Sequence, residues 1–188
     1  YLNYENVLSN YWYHVIITRE NSSGTISMYV NGSLVAQNTN ATPGTPISNS
    51  NPLYLGTHNT SGGWLNGNAD ELAIWNEDLT ASEVTALYNS GSGLSPSSNS
   101  GDYSSSSNLQ AYWNFNEGSG TTLTDQTAND NDGTIYGASW TGNGAPVTET
   151  TTATNTHSLS FDGVDDYVEI GNNSNLQFSG SFSISVWL

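Results

Sequence analysis

The residues with the most chemical capacity in this chain are oxygen donors. Asp125-Gln126-Thr127-Ala128-Asn129-Asp130-Asn131-Asp132-Gly133 gathers carboxylates and amides into one short stretch, the donor type that hard cations such as calcium take. Its spacing is not that of an EF-hand, which would place Ala128 at the first ligand position and Ser139 at the last. A second acidic group, Asp162, Asp165, Asp166 and Glu169, is broken by Gly163 and reads as a turn, because Asp beside Gly favours loops. The histidines, His14, His58 and His157, form no H-x-x-x-H ligand pair and lie near no nucleophile-elbow serine. His14, inside an aromatic and β-branched run, reads as a buried strand histidine. The absence of cysteine excludes thiol catalysis, disulfides and thiolate metal sites. Trp64, flanked by Gly62-Gly63 and Asn66-Gly67, is placed for a loop that could offer its indole face to a sugar, although packing is the competing role.

The elements that must position these groups are mostly strands. Trp12–Arg19, Pro52–Gly56, Ala69–Trp75, Ala111–Asn116, Ser158–Phe161, Tyr167–Ile170 and Phe182–Leu188 carry the β-branched and aromatic residues. Thr25–Ala36 alternates through Ile26, Met28 and Val30 into Asn31-Gly32, a strong hairpin signal. One helix is expected near 80–89, where Thr80-Ala81-Ser82-Glu83 fits a capping box and Val84, Leu87 and Tyr88 recur at helical spacing. Its short, one-sided pattern suits a helix lying across the edge or end of a sheet. Trp12, Trp75, Trp113 and Trp187 fall in strand patterns and read as core, and Trp140 is open to either reading. Ser90–Asn108 is so rich in Ser and Gly that it reads as a flexible linker with almost nothing to bury, and Val147–Thr156 reads as a long polar loop.

Charge decides which partners are possible. A single basic residue stands against 17 carboxylates, for a formal net charge of −16. Nucleic-acid binding needs clustered Lys and Arg to displace counterions, so it is excluded, as is docking on an anionic membrane surface. No apolar run is long enough to span a bilayer. Disorder, the usual reading of such a polar acidic chain, is opposed by 6 Trp, 11 Tyr and 4 Phe. The profile is that of an extracellular or surface-displayed β-protein.

Several motifs together resemble the laminin G-like jelly-roll family, the concanavalin A-like and pentraxin-related β-sandwiches. Trp12-Tyr13-His14-Val15, Tyr29-Val30-Asn31-Gly32 and the stretch from Asp70-Glu71-Leu72-Ala73-Ile74-Trp75 to Leu87-Tyr88 are similar to the second half of that family's pattern. Tyr112-Trp113-Asn114-Phe115-Asn116-Glu117-Gly118-Ser119-Gly120, Asp125 to Thr134, and Phe161-Asp162-Gly163-Val164-Asp165-Asp166-Tyr167-Val168 are similar to its first half. The halves therefore stand in inverted order, which a window cut across tandem repeats, a circular permutation or chain-to-chain complementation would each explain. The window is favoured, giving 1–91 as the second half of one module, 92–107 as a linker and 108–188 as the first half of a following or complementing one. Closure of the chain on itself is not expected on this reading.

The resemblance implies an all-β, concanavalin A-like jelly-roll sandwich with one short helix. It also implies a structural calcium, held by Asp70, Glu71, Asp125 and Asn131, with Asp70 and Asp125 of one chain meeting counterparts in neighbouring modules. Glycanases of this fold use an E-x-D-x-x-E strand, which does not occur here, so the expectation is a non-enzyme. It would serve as a structural or adhesive module of a repetitive extracellular protein or filament, with neighbouring copies as partners. The alternative is a carbohydrate-binding module of a secreted glycan-degrading enzyme, with Trp64 contacting the glycan.

Overall fold

The structure, a computed structural model, describes residues 2, 4–5, 7–40, 42–44, 51–58, 62–147 and 155–188. Its strands are β1 (His14–Glu20), β2 (Thr25–Val30), β3 (Ser33–Asn38), β4 (Leu53–Leu55), β5 (Asn66–Trp75), β6 (Leu109–Trp113), β7 (Thr122–Leu123), β8 (Gly133–Tyr136), β9 (Ser139–Thr141), β10 (Ser158–Asp162), β11 (Tyr167–Ile170) and β12 (Phe182–Trp187). One α-helix, α1 (Ala81–Tyr88), lies between β5 and β6. The larger antiparallel sheet runs β3-β2-β1-β12-β5-β10-β9, with β6 also paired to β5. The smaller runs β4-β11-β8-β7. Asn31 and Gly32 both take positive φ, 49° and 75°, and join β2 to β3 as the hairpin signal predicts.

The two sheets pack face to face. Leu72, Ile74, Ala111, Trp113, Leu159 and Phe161 of the larger meet Leu123, Ile135, Val168 and Ile170 of the smaller in one buried cluster. This is the layered antiparallel sandwich expected of the fold. The opposite face of the larger sheet buries Ile16, Ala73, Trp75 and Tyr112 against Leu79, Val84 and Leu87. The helix thus covers a sheet face, which corrects the expectation that it lies across an edge. A sheet with apolar side chains on both faces needs a cover on each. The capping box forms as predicted: the Glu83 amide donates to Thr80 Oγ1 at 3.3 Å, and the Thr80 amide donates to Glu83 Oε2 at 3.0 Å.

Two expectations about organisation are corrected. Residues 92–107 are not an unpacked linker. Tyr103 is buried, its hydroxyl donating to the Pro96 carbonyl at 2.7 Å and accepting from Trp75 Nε1 at 2.9 Å. Glu83 Oε1 accepts from the Ser104 amide and hydroxyl at 3.3 and 3.1 Å and from the Ser105 hydroxyl at 2.5 Å. One carboxylate therefore caps the helix and fastens the serine-rich segment over it. Of the polar loop expected at Val147–Thr156, residues 148–154 lie outside the described residues.

The second correction concerns closure. Strand β12, from the second segment, pairs with β1 from His14↔Trp187 to Arg19↔Phe182 and with β5 on its other edge. In the same way β10 and β6 flank β5, and β11 pairs with β4. The two segments complete each other's sheets within this chain, because each leaves strand edges that only the other satisfies.

Candidate functional site

Three groups of polar side chains are candidates, and the fold treats each differently. The first is the 125–133 loop. Asp125 Oδ1 accepts from the backbone amides of Tyr112 and Thr127 at 3.0 and 2.9 Å. Its Oδ2 accepts from Thr127 Oγ1, the Asn131 amide and Asn131 Nδ2 at 2.9, 3.0 and 2.9 Å. The Asn131 side chain is equally committed, donating to the Gln110 carbonyl at 3.1 Å and accepting from Asn173 Nδ2 at 2.7 Å. Trp113 Nε1 donates to the Asn131 carbonyl at 3.0 Å. The structure brings Asp125 and Asn131 together, as the resemblance implies, but their oxygens already face protein donors. A carboxylate with five N–H and O–H groups aimed at it offers a cation no free lone pair on this side. This pair does not fit a calcium ligand set in the arrangement seen here; it staples the loop to β6.

The second group surrounds Asp70, which is fully buried in the middle of β5, where pairing with β10 gives way to pairing with β12. Its Oδ1 accepts from the Glu71 amide at 2.9 Å, and its Oδ2 from the Ala145 amide and Asn155 Nδ2, both at 2.7 Å. Burial pushes its carboxyl up to about 7, opposed by those hydrogen bonds and assisted by the nearby negative charge of Glu117. Glu71, with φ 54°, sends its carboxylate to the Tyr112 hydroxyl and onto a small cavity lined by His14, Leu87 and Trp187. The adjacent acids thus serve different surroundings: Asp70 binds the 145 and 155 loops, and Glu71 the helix side of the sheet. Glu71 and Asp125 are linked only through Tyr112, whose hydroxyl donates to Glu71 and whose amide donates to Asp125. The β12 pairing places Asp70 and Asp125 in the same sandwich, which corrects the expectation that they belong to separate modules.

The third group is aromatic. Tyr54 of β4, Tyr136 of β8 and Tyr167 of β11 stand on the face of the smaller sheet turned away from the core, and Trp64 reaches them from the turn before β5. Tyr136 stacks on Tyr167 at 4.7 Å between centroids with an 18° interplanar angle. Tyr54 meets Tyr167 edge-on at 5.9 Å, and Trp64 lies 6.2 Å from it at 34°. Register explains the tier: Tyr167 pairs with Tyr136, and Glu169, two residues on along the same face, pairs with Tyr54 and hydrogen-bonds to it. Sequence reasoning singled out Trp64 alone. The three tyrosines become a group only through cross-strand register, which no local motif encodes.

The remaining candidates are structural. His14 is buried and stacked on Trp187 at 4.8 Å, with Nε2 2.7 Å from Ser185 Oγ, and burial lowers its pKa to about 3. It is neutral at physiological pH, as the strand-histidine reading expects. Asp162 Oδ1 accepts from the Val164 amide at 2.8 Å, and Asp166 Oδ2 from the Asp162 amide at 2.9 Å. Their carboxylates and that of Asp165 converge within 4.8 Å, a turn whose acids are engaged with its own backbone. Trp75, Trp113 and Trp187 are buried as expected, whereas Trp12, expected in the core with them, is only half-buried, packed at the rim beside Trp187. Trp140 is half-buried and donates to the Gly120 carbonyl at 2.9 Å.

Comparison with known proteins locates the fold. Residues 3–85 match a family model described as the concanavalin A-like lectin/glucanases superfamily. No curated protein matches the chain, and no solved structure does. The matched stretch contains β1 to β5 and most of the capped helix, the same elements that carry the Trp12–Val15, Asn31-Gly32 and Asp70–Trp75 motifs. With two facing antiparallel sheets and one short helix, the fold is a β-sandwich of the concanavalin A-like kind.

Proposed function

We propose that this chain is a non-catalytic structural and adhesive module of a repetitive extracellular surface protein, with neighbouring copies of the module as its partners. The observation that supports this most is the reciprocal completion of the sheets. Strand β12 sits between β1 and β5, so the two motif blocks form one sandwich although their order is inverted. Surface chemistry agrees. The sole basic residue, Arg19, is buried, which leaves an exterior of hydroxyls, amides and carboxylates that keeps crowded copies apart by mutual repulsion. Catalysis finds no support, since Glu83 and Asp125 are held by hydrogen bonds to the protein itself and Asp162 and Asp166 by their own turn. Protease treatment of intact source cells is expected to release peptides of this chain. Their appearance only after lysis would contradict the surface assignment.

The aromatic tier favours a second reading, a carbohydrate-binding module. Flat rings at stacking distances suit the apolar face of a pyranose, and Glu169 beside Tyr54 supplies an acceptor for sugar hydroxyls. With no exposed cation to pair with uronate or sulfate, the glycan would be neutral. On an array of neutral polysaccharides, Tyr167→Ala is expected to weaken retention more than Trp64→Ala, because Tyr167 contacts all three other rings. Each loss would be roughly tenfold or more, the equivalent of about 1.4 kcal/mol. If the parent protein is retained by no polysaccharide, the structural and adhesive role stands alone.

A further inference from the structure

We propose that a slot in the larger sheet, in line with β12 beyond Leu188, accepts an extended, uncharged peptide strand supplied by a partner protein. This inference rests on a free strand edge and is independent of glycan binding and of surface display.

Strand β5 outruns one of its neighbours. On one edge it pairs with β6 over residues 72–75 and with β10 over 66–69. On the other it pairs with β12, and that ladder stops at Trp187↔Asp70. No strand among the described residues pairs with 66–69 on this second edge. An unpaired edge presents a row of N–H and C=O groups and is a template for another strand. A Cβ added at Gly67 would meet no atom within 4 Å, so the space beside the edge is open.

That space is a cavity of about 770 Å³. Asn66, Gly67 and Asn68 line one side, Tyr11, Trp12 and Tyr13 line the other, and Leu188 lies where β12 ends. Tyr13 exchanges both backbone hydrogen bonds with Leu188, so the lead-in to β1 still flanks β12 at this point. With β12 between them, β1 and β5 stand two strand spacings apart, about 9.6 Å. Past Leu188 the gap between their lines is one strand wide. A residue in a layered sheet fills about 160 Å³, taking a rise of 3.3 Å, 4.8 Å between strands and 10 Å between layers. The cavity therefore suits roughly five strand residues, a close match to the unpaired stretch at 66–69.

The lining sets the chemistry of the guest. Leu65 and Leu188 pack against the inter-sheet core, and Val30 stands on the same face through Val15 and Val186. Asn66 and Asn68, one residue out of step with Leu65, join Asn143 in lining the cavity with amides. An inserted strand thus meets apolar side chains on one face and amides on the other, which suits alternating apolar and hydroxyl residues. No Asp, Glu, Lys or Arg lines the cavity, so a charged guest side chain would lose water without gaining a counter-charge. Val7, Leu8 and Tyr11 also line it while remaining more than 60% exposed, apolar surface of the kind that partners cover. A second copy is a poor donor. The strands of the described residues are already paired within the chain, and a net charge of −16 on each copy opposes their approach.

Nuclear magnetic resonance of the full chain, titrated with the peptide acetyl-Val-Thr-Val-Thr-Val-amide, tests the slot. Met28 is the only methionine and lines the cavity, so a carbon-13 methyl label on methionine gives one signal from its wall. Saturable shifts are expected for that methyl and for the Asn66, Gly67 and Asn68 amides. Hydrogen exchange within 66–69 is expected to slow roughly tenfold or more at saturation. The same peptide methylated at every peptide nitrogen keeps its apolar side chains but has no donors; its affinity is expected to fall roughly tenfold or more. A similar loss is expected for acetyl-Val-Glu-Val-Glu-Val-amide. Equal binding of the methylated peptide would reveal an apolar pocket without strand addition and overturn the proposal. So would the absence of shifts at millimolar peptide, or shifts centred on β3 or β4. A Met28 signal that moves with protein concentration alone would assign the slot to a second copy and overturn it as well.

Discussion

Replacing Asp125 with alanine is expected to destabilise the protein by on the order of 4 kcal/mol, a large fraction of a small domain's total stability. The carboxylate accepts five hydrogen bonds, three of them from the main chain of Tyr112, Thr127 and Asn131. Deleting it leaves those amides buried without acceptors, and each such group costs about 1–3 kcal/mol. Relaxation of the exposed side of the loop recovers part of the loss. Urea unfolding at constant pH measures the effect. A calcium ligand at this position would make the loss depend on calcium and on its removal by EDTA. As a loop staple, Asp125 should give the same loss with and without EDTA, so one pair of melts separates a loop staple from a metal ligand.

Trp187→Ala is expected to cost about 3–5 kcal/mol, the range for removing a large buried aromatic side chain. Trp187 is nearly inaccessible and lies where both segments meet. Its ring stacks on His14 of β1 at 4.8 Å and on Tyr88 of α1 at 6.1 Å, and packs with Ala145 and Val147. The substitution therefore removes contacts from three parts of the chain at once. Because β12 is a shared strand, the loss should appear as one cooperative transition at lower denaturant concentration, with near- and far-ultraviolet circular dichroism moving together. Two separated transitions in the parent, one per segment, would show that the segments fold independently.

Much of this architecture was legible locally. The Asn31-Gly32 turn and the Thr80-Glu83 capping box are short-range devices, each set by a few adjacent residues, and both form with the expected partners. The longer strands follow from alternation and β-branching. What local reading missed depends on distant partners. Strands β7, β8 and β9 are two to four residues long, too short to show a period. The serine-rich 92–107 segment shows no apolar pattern, yet Tyr103 anchors it to Trp75, and Ser105 tolerates burial because its hydroxyl donates a hydrogen bond to Glu83. A hydroxyl is a surface residue or a buried one according to whether a partner waits for it.

The site followed the same division. Asp70 was picked out from its motif, and Asp125 with Asn131 from the density of oxygen donors. In the structure those oxygens are matched to donors of the loop itself and of Tyr112. Asn155, at the end of a threonine-rich stretch, carries no local signal that it is buried against Asp70. Only the folding of its loop beside β5 brings it to Asp70. The tyrosine tier is likewise a product of register, visible once β8, β11 and β4 are aligned.

The central claim is that β12 lies between β1 and β5 of the same chain. Tyr13 and Leu188 exchange both backbone hydrogen bonds, at 2.8 and 2.9 Å. Alternation along an antiparallel pair then makes Ile16↔Ser185 and Thr18↔Ser183 the non-hydrogen-bonded pairs, whose Cα atoms approach most closely. Isotope-filtered nuclear Overhauser spectroscopy on a mixture of labelled and unlabelled protein reads this contact directly. The account predicts strong Hα–Hα cross-peaks for both pairs within the labelled chain. Cross-peaks found only between labelled and unlabelled chains, or none at all, would contradict it.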